Sequence, residues 1–286
     1  MKPTAFVRES GGGPAVLCLH SSGASSRQWD ALAARLAARH RVLAADLAGH
    51  GKSPGWGAGE APSLDGEVER LAPAVASAEG PLHLVGHSYG AAVAMKLALV
   101  HPGRVASLAL YEPVLFRLLL DAPGAHPGGE EIVRAAGVMR AALEAGDGEA
   151  SARTFFEYWS GAGAWARVEA SARATIAERM PVVMGCFDAL FNDRTPRSAL
   201  LRLDFPVLLM NGTASPASSR GVAALLEAAL PDHRRVVLDG VGHMGPVTHA
   251  GRVNEAIEGF LALQASPGPR AGASRFAPAA ARPAFA

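Results

Sequence analysis

The chain of 286 residues has only two cysteines, Cys18 and Cys186. Two such residues offer no metal-ligand spacing and no disulfide framework, so a reducing compartment is expected. Cys18 sits in an apolar run and reads as a small buried hydrophobe. Long hydrophobic runs are also missing. No uncharged stretch is long enough to span a bilayer, so no membrane partner is expected. The opening Met1-Lys2-Pro3-Thr4-Ala5-Phe6-Val7-Arg8-Glu9 lacks the apolar core of a secretory signal, which points to a soluble cytoplasmic protein. Charge of one sign is lacking too: 27 Lys and Arg face 26 Asp and Glu, for a net +1. The basic residues are not clustered, so nucleic acid is not an implied partner. No fixed-period repeat is visible, and no metal or cofactor motif is found, so neither group is expected.

What remains is a chain 49% hydrophobic and 19% charged, a composition that suits a sizeable globular core. Apolar runs alternate with segments of helical spacing. Residues 4–8 suggest a short edge strand. Ala15-Val16-Leu17-Cys18-Leu19 is continuous, as in a parallel strand buried on both faces. Further strands are expected over 41–47, 82–85, 105–111, 206–212 and 235–238, with helices between them, one over 67–76. This alternation predicts an α/β fold: a doubly wound, mostly parallel sheet covered on both faces. The pattern changes over 116–203, where helical segments carry Ile132, Ala136, Met139 and Leu143 on one face and no buried strand intervenes. That stretch reads as a helical insertion. Residues 265–286, rich in Ala, Pro, Gly and Arg, read as a disordered tail.

One segment organises the rest. An apolar run enters Gly86-His87-Ser88-Tyr89-Gly90, and Ala91-Ala92-Val93-Ala94-Met95-Lys96-Leu97-Ala98 leaves it as a helix. Gly-x-Ser-x-Gly between strand and helix is the pattern of a nucleophile elbow, with the serine on a sharp, strained turn. A serine hydroxyl needs a base to become a nucleophile at neutral pH. Of ten histidines, His243 in Gly240-Val241-Gly242-His243-Met244-Gly245-Pro246 lies just past the last strand. A doubly wound sheet brings that loop to the same edge as the elbow. His249 competes, but falls in or at the start of the last helix. A Gly51-Lys52-Ser53 run looks superficially like a phosphate loop. Asp46 stands where its first glycine is required, and Pro54-Gly55-Trp56-Gly57 follows instead of a helix, so a nucleotide site is rejected.

Four motifs together, His20-Ser21-Ser22-Gly23, Asp46-Leu47-Ala48-Gly49-His50-Gly51-Lys52-Ser53, the elbow and Gly242-His243, give the sequence its kinship. The chain resembles the α/β-hydrolase fold superfamily over residues 6–263. The resemblance implies a core of residues 1–115 and 204–264, with the helical insertion 116–203 as a cap after strand six in the family's count. It also implies a carboxylate to orient His243. The commonest acid position follows the seventh strand, in a Gly-x-x-Asp-like segment. Here that segment is Gly212-Thr213-Ala214-Ser215-Pro216, and Ser215 supplies no charge. Some families, haloalkane dehalogenases among them, carry the acid after strand six, where this chain has Glu112. Asp239, four residues before His243, is the second candidate, in an Asp239-Gly240 turn. Asp204 and Asp193 rank behind it.

By the same resemblance, the backbone N–H groups of Ser22 and Tyr89 form an oxyanion hole. Ser21 stands where the family usually has glycine, and the hydroxyls of Ser21 and Ser22 are possible extra donors. A serine elbow implies acyl chemistry rather than the carboxylate nucleophile of epoxide hydrolases and dehalogenases. The implied activity is hydrolysis of a carboxylic ester through an acyl-enzyme, on a small-molecule ester or acyl substrate. A lactonase, a C–C bond hydrolase and a transacylase share the same roles. A weakly catalytic binding protein is the reading from another class. Phe155, Tyr158, Trp159, Trp165 and Phe187 either face the substrate or hold the cap's own core. An apolar, partly aromatic roof predicts a neutral rather than a charged ester. The oligomeric state is left open.

Overall fold

The structure, a computed structural model, describes residues 3–264. The tail expected over 265–286 lies outside the described residues. Seven strands form one sheet: β1 (Val7–Ser10), β2 (Ala15–Leu19), β3 (Arg41–Ala45), β4 (Leu82–His87), β5 (Val105–Tyr111), β6 (Val207–Gly212) and β7 (His233–Leu238). Their order is β1-β3-β2-β4-β5-β6-β7. β1 runs antiparallel to β3, and all other pairs are parallel. The helices, in chain order, are α1 (Asp30–Leu36), α2 (Leu64–Ala76), α3 (Tyr89–Val100), α4 (Arg117–Leu120), α5 (Pro127–Glu144), α6 (Gly148–Ser160), α7 (Ala170–Asn192), α8 (Arg197–Leu200), α9 (Ala217–Glu227), α10 (Gly245–Thr248) and α11 (Ala250–Gln264).

Strand periodicity builds two apolar layers. Val16, Cys18, Val42, Ala44, Val85, Ala109, Leu208 and Met210 face α1 and α11. Their neighbours Leu17, Leu19, Leu43, Leu84, Leu108, Leu110 and Leu209 face α2, α3 and α9. Cys18 is fully buried, and burial pushes its thiol up to about 12, so it behaves as a hydrophobe. Five helices, α4 to α8, lie between β5 and β6 with no strand among them. Ile132, Ala136 and Met139 of α5 are buried on the expected face, and their cluster is continuous with the sheet's second layer.

Parallel strands put their carboxyl ends on one edge. The loops after β2, β4, β5, β6 and β7 therefore meet there, the region where open α/β sheets bind ligands. Several expected boundaries move. The strand expected over 4–8 forms at 7–10, because its register comes from pairing with β3, Val7 opposite Ala45 and Ser10 opposite Val42. The helix expected from 67 begins at Leu64, where the Ser63 hydroxyl caps Gly66 N–H at 3.1 Å. The last strand begins at His233. The helical insertion follows β5, which is fifth along this chain although the family count makes it sixth. No helix among the described residues is long and apolar enough to cross a membrane.

Candidate active site

β4 ends at His87 and α3 begins at Tyr89, so Ser88 alone makes the turn, with φ 55° and ψ −118°. Such a conformation costs a non-glycine residue about 1–3 kcal/mol. The flanking glycines are steric requirements. A Cβ on Gly86 would lie 2.5 Å from Ala91 Cα, and one on Gly90 would lie 2.4 Å from the carbonyl oxygens of Leu19 and His20. The turn is held by Ser88 N–H, which donates to the Tyr111 carbonyl at 3.0 Å. The Ser88 carbonyl accepts from Ala91 and Ala92 N–H.

Ser88, His243 and Glu112 come together although 155 and 131 residues separate the first and last from the histidine. The Ser88 hydroxyl donates to His243 Nε2 at 2.9 Å, and His243 Nδ1–H donates to Glu112 Oε2 at 2.7 Å. Glu112 directly follows β5, is fully buried, and has φ 46°. Its second oxygen, Oε1, accepts from Gly212 N–H at 2.8 Å and from the Ser215 hydroxyl. Ser215, standing where the superfamily's usual acid would be, therefore supports the carboxylate that replaces it. Ser219 Oγ lies 3.4 Å from His243 Nδ1, at the limit of a hydrogen bond.

The loop carrying His243 is pinned twice. Tyr111 donates its hydroxyl to the Gly242 carbonyl at 2.7 Å, and His87 Nε2–H donates to the His243 carbonyl at 2.9 Å. Burial, aided by the neighbouring His243, holds His87 well below the usual histidine range, so it serves as a neutral donor. The competing residues sit elsewhere. Asp239 is exposed and accepts from the Thr213 hydroxyl at 3.1 Å. Asp193 pairs with Lys96 at 3.0 Å, Asp204 is exposed, and His249 lies exposed in the link between α10 and α11.

The loop after β2 is fixed by neutral side chains. His20 Nδ1–H donates to the Ser21 carbonyl at 2.7 Å, and its Nε2 accepts Leu47 N–H at 3.0 Å. His50 Nε2 accepts Gly23 N–H at 2.9 Å. Burial lowers His20 to about 3 and lowers His50 too, keeping both acceptors unprotonated. Ser21 N–H and hydroxyl both donate to Gln28 Oε1, at 3.1 and 3.0 Å. The Ser21 hydroxyl, considered above as an extra donor to substrate, is thus committed to the loop. Between these anchored neighbours, Ser22 N–H has no protein acceptor among the described residues. Tyr89 N–H, in the first turn of α3, has no intrahelical acceptor either. The Gly51-Lys52-Ser53 turn wraps an internal anion: Lys52 N–H donates to Asp46 Oδ2 at 2.8 Å, and Ser26 N–H donates to Asp46 Oδ1 at 2.6 Å. Burial works to raise Asp46, but these bonds outweigh it and its carboxyl stays below the usual range.

Ser88 opens into a cavity of about 110 Å³. Phe155 and Trp159 of α6, Ile176, Met180 and Val183 of α7, and Met244 supply its apolar walls, with Arg179 the charged residue among the lining. Of the two readings left open, Phe155 and Trp159 take the pocket-facing one. Phe187 instead stacks with Phe116 at 6.0 Å, and Trp165 meets Phe156, which also lines the cavity, at 5.5 Å. Tyr158 faces an adjacent groove. Arg179, Ser215, His87 and the stacking of Trp159 on His243 (centroids 3.9 Å apart) had no local sequence signal. Each is a contact between distant segments. Among the described residues no cluster of three or more His, Cys, Asp or Glu has the geometry to hold a metal.

A mostly parallel sheet with a serine on a strained turn, a histidine and a carboxylate at its carboxyl edge defines the architecture of the α/β hydrolases. The chain belongs to the alpha/beta hydrolase fold family, whose match spans residues 14–250. It is similar to a pimeloyl-[acyl-carrier protein] methyl ester esterase of Aeromonas hydrophila, 29% identical over 89% of this chain and 98% of that protein. It is also similar to lipase LipV of Mycobacterium tuberculosis, 42% identical over a shorter stretch, 36% of this chain and 39% of that one. Among solved structures, a bromoperoxidase from Bacillus anthracis superposes with a TM-score of 0.73 at 22% identity, covering 90% of this chain and 95% of that one. That likeness speaks to the fold alone.

Proposed function

We propose that this chain is a serine hydrolase that cleaves a carboxylic ester through an acyl-enzyme intermediate. The observation that carries the reading is the continuous hydrogen-bonded chain from the Ser88 hydroxyl through His243 to Glu112, at the floor of an apolar cavity. The printed names of two relatives, an esterase and a lipase, agree with ester chemistry.

In the first step Ser88 Oγ forms a bond to the ester carbonyl carbon, and the carbonyl π pair moves onto its oxygen. The hydroxyl proton passes to His243 Nε2. The oxyanion is received by Ser22 N–H and Tyr89 N–H, which flank Ser88 in the fold or the chain and carry no backbone acceptor among the described residues. Collapse breaks the bond to the leaving oxygen, which takes the proton from Nε2. Water then repeats the sequence on the acyl-enzyme and frees the acid and Ser88. Glu112, held at both oxygens, fixes the His243 tautomer and stabilises the imidazolium. Residues 116–203 act as a cap over the core of 1–115 and 204–264, with α6 and α7 roofing the cavity. The apolar walls favour a neutral acyl group.

The test is hydrolysis of p-nitrophenyl acetate, butyrate and octanoate by the wild type and by Ser88→Ala. Turnover lost in the variant supports the reading, and the chain-length series reports the reach of the cavity. Equal rates in both proteins would overturn it.

A further inference from the structure

One contact in the pocket is not required by the acyl-transfer scheme. The Trp159 indole stacks on the His243 imidazole, with centroids 3.9 Å apart and planes 29° apart. Its position is not incidental. Tyr158 meets Trp159 edge-on at 4.7 Å and 82°. The Tyr158 hydroxyl is bonded to Glu131 Oε1 at 2.7 Å and to Ser218 Oγ at 2.6 Å. Ser218 belongs to α9, which packs on the sheet, while Glu131 and Tyr158 belong to α5 and α6 of the insertion. The stack is therefore set where the insertion is bolted to the sheet's own helices.

We infer that Trp159 is a positioning residue for the base: its indole face holds the His243 ring and stabilises the imidazolium formed when Ser88 gives up its proton. This rests on the assignment of Ser88, His243 and Glu112 above. The physical reason is the quadrupole of the indole, whose negative face attracts a cation, most strongly when water is excluded. Trp159 is 6% exposed and His243 2%. Neutral imidazole gains little from that face and imidazolium gains much, so the contact strengthens along the reaction and acts on kcat rather than KM. The groups around the ring leave this role open. Glu112 acts at Nδ1 with the Ser215 hydroxyl behind it, Ser219 Oγ lies 3.4 Å from the same nitrogen, and Ser88 acts at Nε2. His87, 5.1 Å away and held neutral by burial, and the Tyr111 phenol supply no charge. Arg179 lines the same pocket, and as a cation it cannot take over this role.

The test compares Trp159→Phe, which keeps a π face, with Trp159→Leu, which keeps apolar bulk without one, on p-nitrophenyl acetate. Leucine should lower kcat about five- to thirtyfold, the range expected of a desolvated cation–π contact, with KM within about twofold. Phenylalanine should stay within about threefold of the wild type. A second readout does not need turnover. The emission lost between wild type and Trp159→Phe should be quenched on acidification, and His243→Gln should abolish that quenching. Equal losses in the two Trp159 variants would mean packing alone and overturn the inference. So would a Leu variant that raises KM and spares kcat, or an emission indifferent to His243. If the wild type hydrolyses no ester, the esterase reading fails, and the emission titration still decides whether Trp159 reads the charge on His243.

Discussion

Ser88 and Glu112 are the two non-glycine residues with positive φ among those described, at 55° and 46°. Each such residue costs about 1–3 kcal/mol and persists only where its surroundings over-determine it. For Glu112 those surroundings are Gly212 N–H and the Ser215 hydroxyl on Oε1 and His243 on Oε2. Glu112→Gln should lower kcat by about three to four orders of magnitude, as loss of a triad acid does elsewhere, with the fold intact by circular dichroism. Near-wild-type turnover would remove Glu112 from the proposed catalytic set. Ser215→Ala removes one hydrogen bond to a charged acceptor, an interaction of about 1.5–3 kcal/mol, and should cost about tenfold in kcat. Ser219→Ala, whose oxygen sits at the edge of bonding distance, should cost less than about threefold. A Ser215 variant no slower than the Ser219 variant would show that the Ser215 bond does not set the carboxylate. Ser88 and His243, the proposed nucleophile and base, were both legible as candidates in the sequence, because glycine spacing and chain order mark them. Ser215 was legible only as an absence. Its hydroxyl meets Glu112 across 103 residues, and no pattern within one segment encodes that.

The elements that deliver these residues are tuned by what they bury. α2 carries Glu67, 1% exposed, into the layer beneath the elbow. There Glu67 Oε1 accepts the Tyr89 hydroxyl at 3.1 Å, and Oε2 accepts Ala48 N–H at 3.2 Å. One carboxyl thus ties the residue after Ser88 to the loop after β3. Burial pushes Glu67 up to about 7, against the pull of those two bonds. Between about 4.5 and about 7 the folded chain keeps a proton that the unfolded chain releases, so this group's contribution to stability falls as pH rises through that window. Above it the ionised carboxylate costs about 3 kcal/mol. Glu67→Gln removes the titration. Its melting temperature relative to wild type should therefore improve steadily from pH 5 to pH 8, and a constant difference across that range would show that Glu67 does not titrate with folding. Glu67 was read from the sequence as the start of a helix, with no hint of its burial. An amphipathic pattern marks apolar positions, and a buried acid looks like solvent-facing punctuation within it. The insertion's helices were legible for the opposite reason: Ile132, Ala136 and Met139 repeat at helical spacing.

Across the whole molecule, burial forces histidines into the neutral state. Burial lowers His20 to about 3 and His83 to about 4, and it lowers His40, His50 and His87 as well. They are spread over the sheet: His20 and His50 hold the loop after β2, His83 Nδ1 pairs with Ser107 Oγ at 2.8 Å, and His87 pins the His243 loop. Three of the five, His20, His50 and His87, shape the site as well as making the fold acid-sensitive. An unfolded histidine titrates near 6.5. Below that pH the unfolded chain binds protons that these folded imidazoles refuse, so stability is lost as pH falls. Each refusing histidine costs about 1.4 kcal/mol per pH unit until its own folded value is reached. Glu67 works in the other direction, but it is one group against five. The melting temperature should therefore drop between pH 7.5 and pH 5. Unfolding at pH 5.5 should take up several protons per molecule, read from the dependence of the calorimetric enthalpy on the ionisation heat of the buffer. His83→Gln, remote from Ser88, should flatten the slope by the share of one histidine and leave ester turnover at pH 8 within about twofold. A melting temperature level from pH 7.5 to pH 5 would mean that these imidazoles are protonated in the folded chain. The hydrogen bonds that His20 and His50 accept from Leu47 and Gly23 N–H would then have to be redrawn.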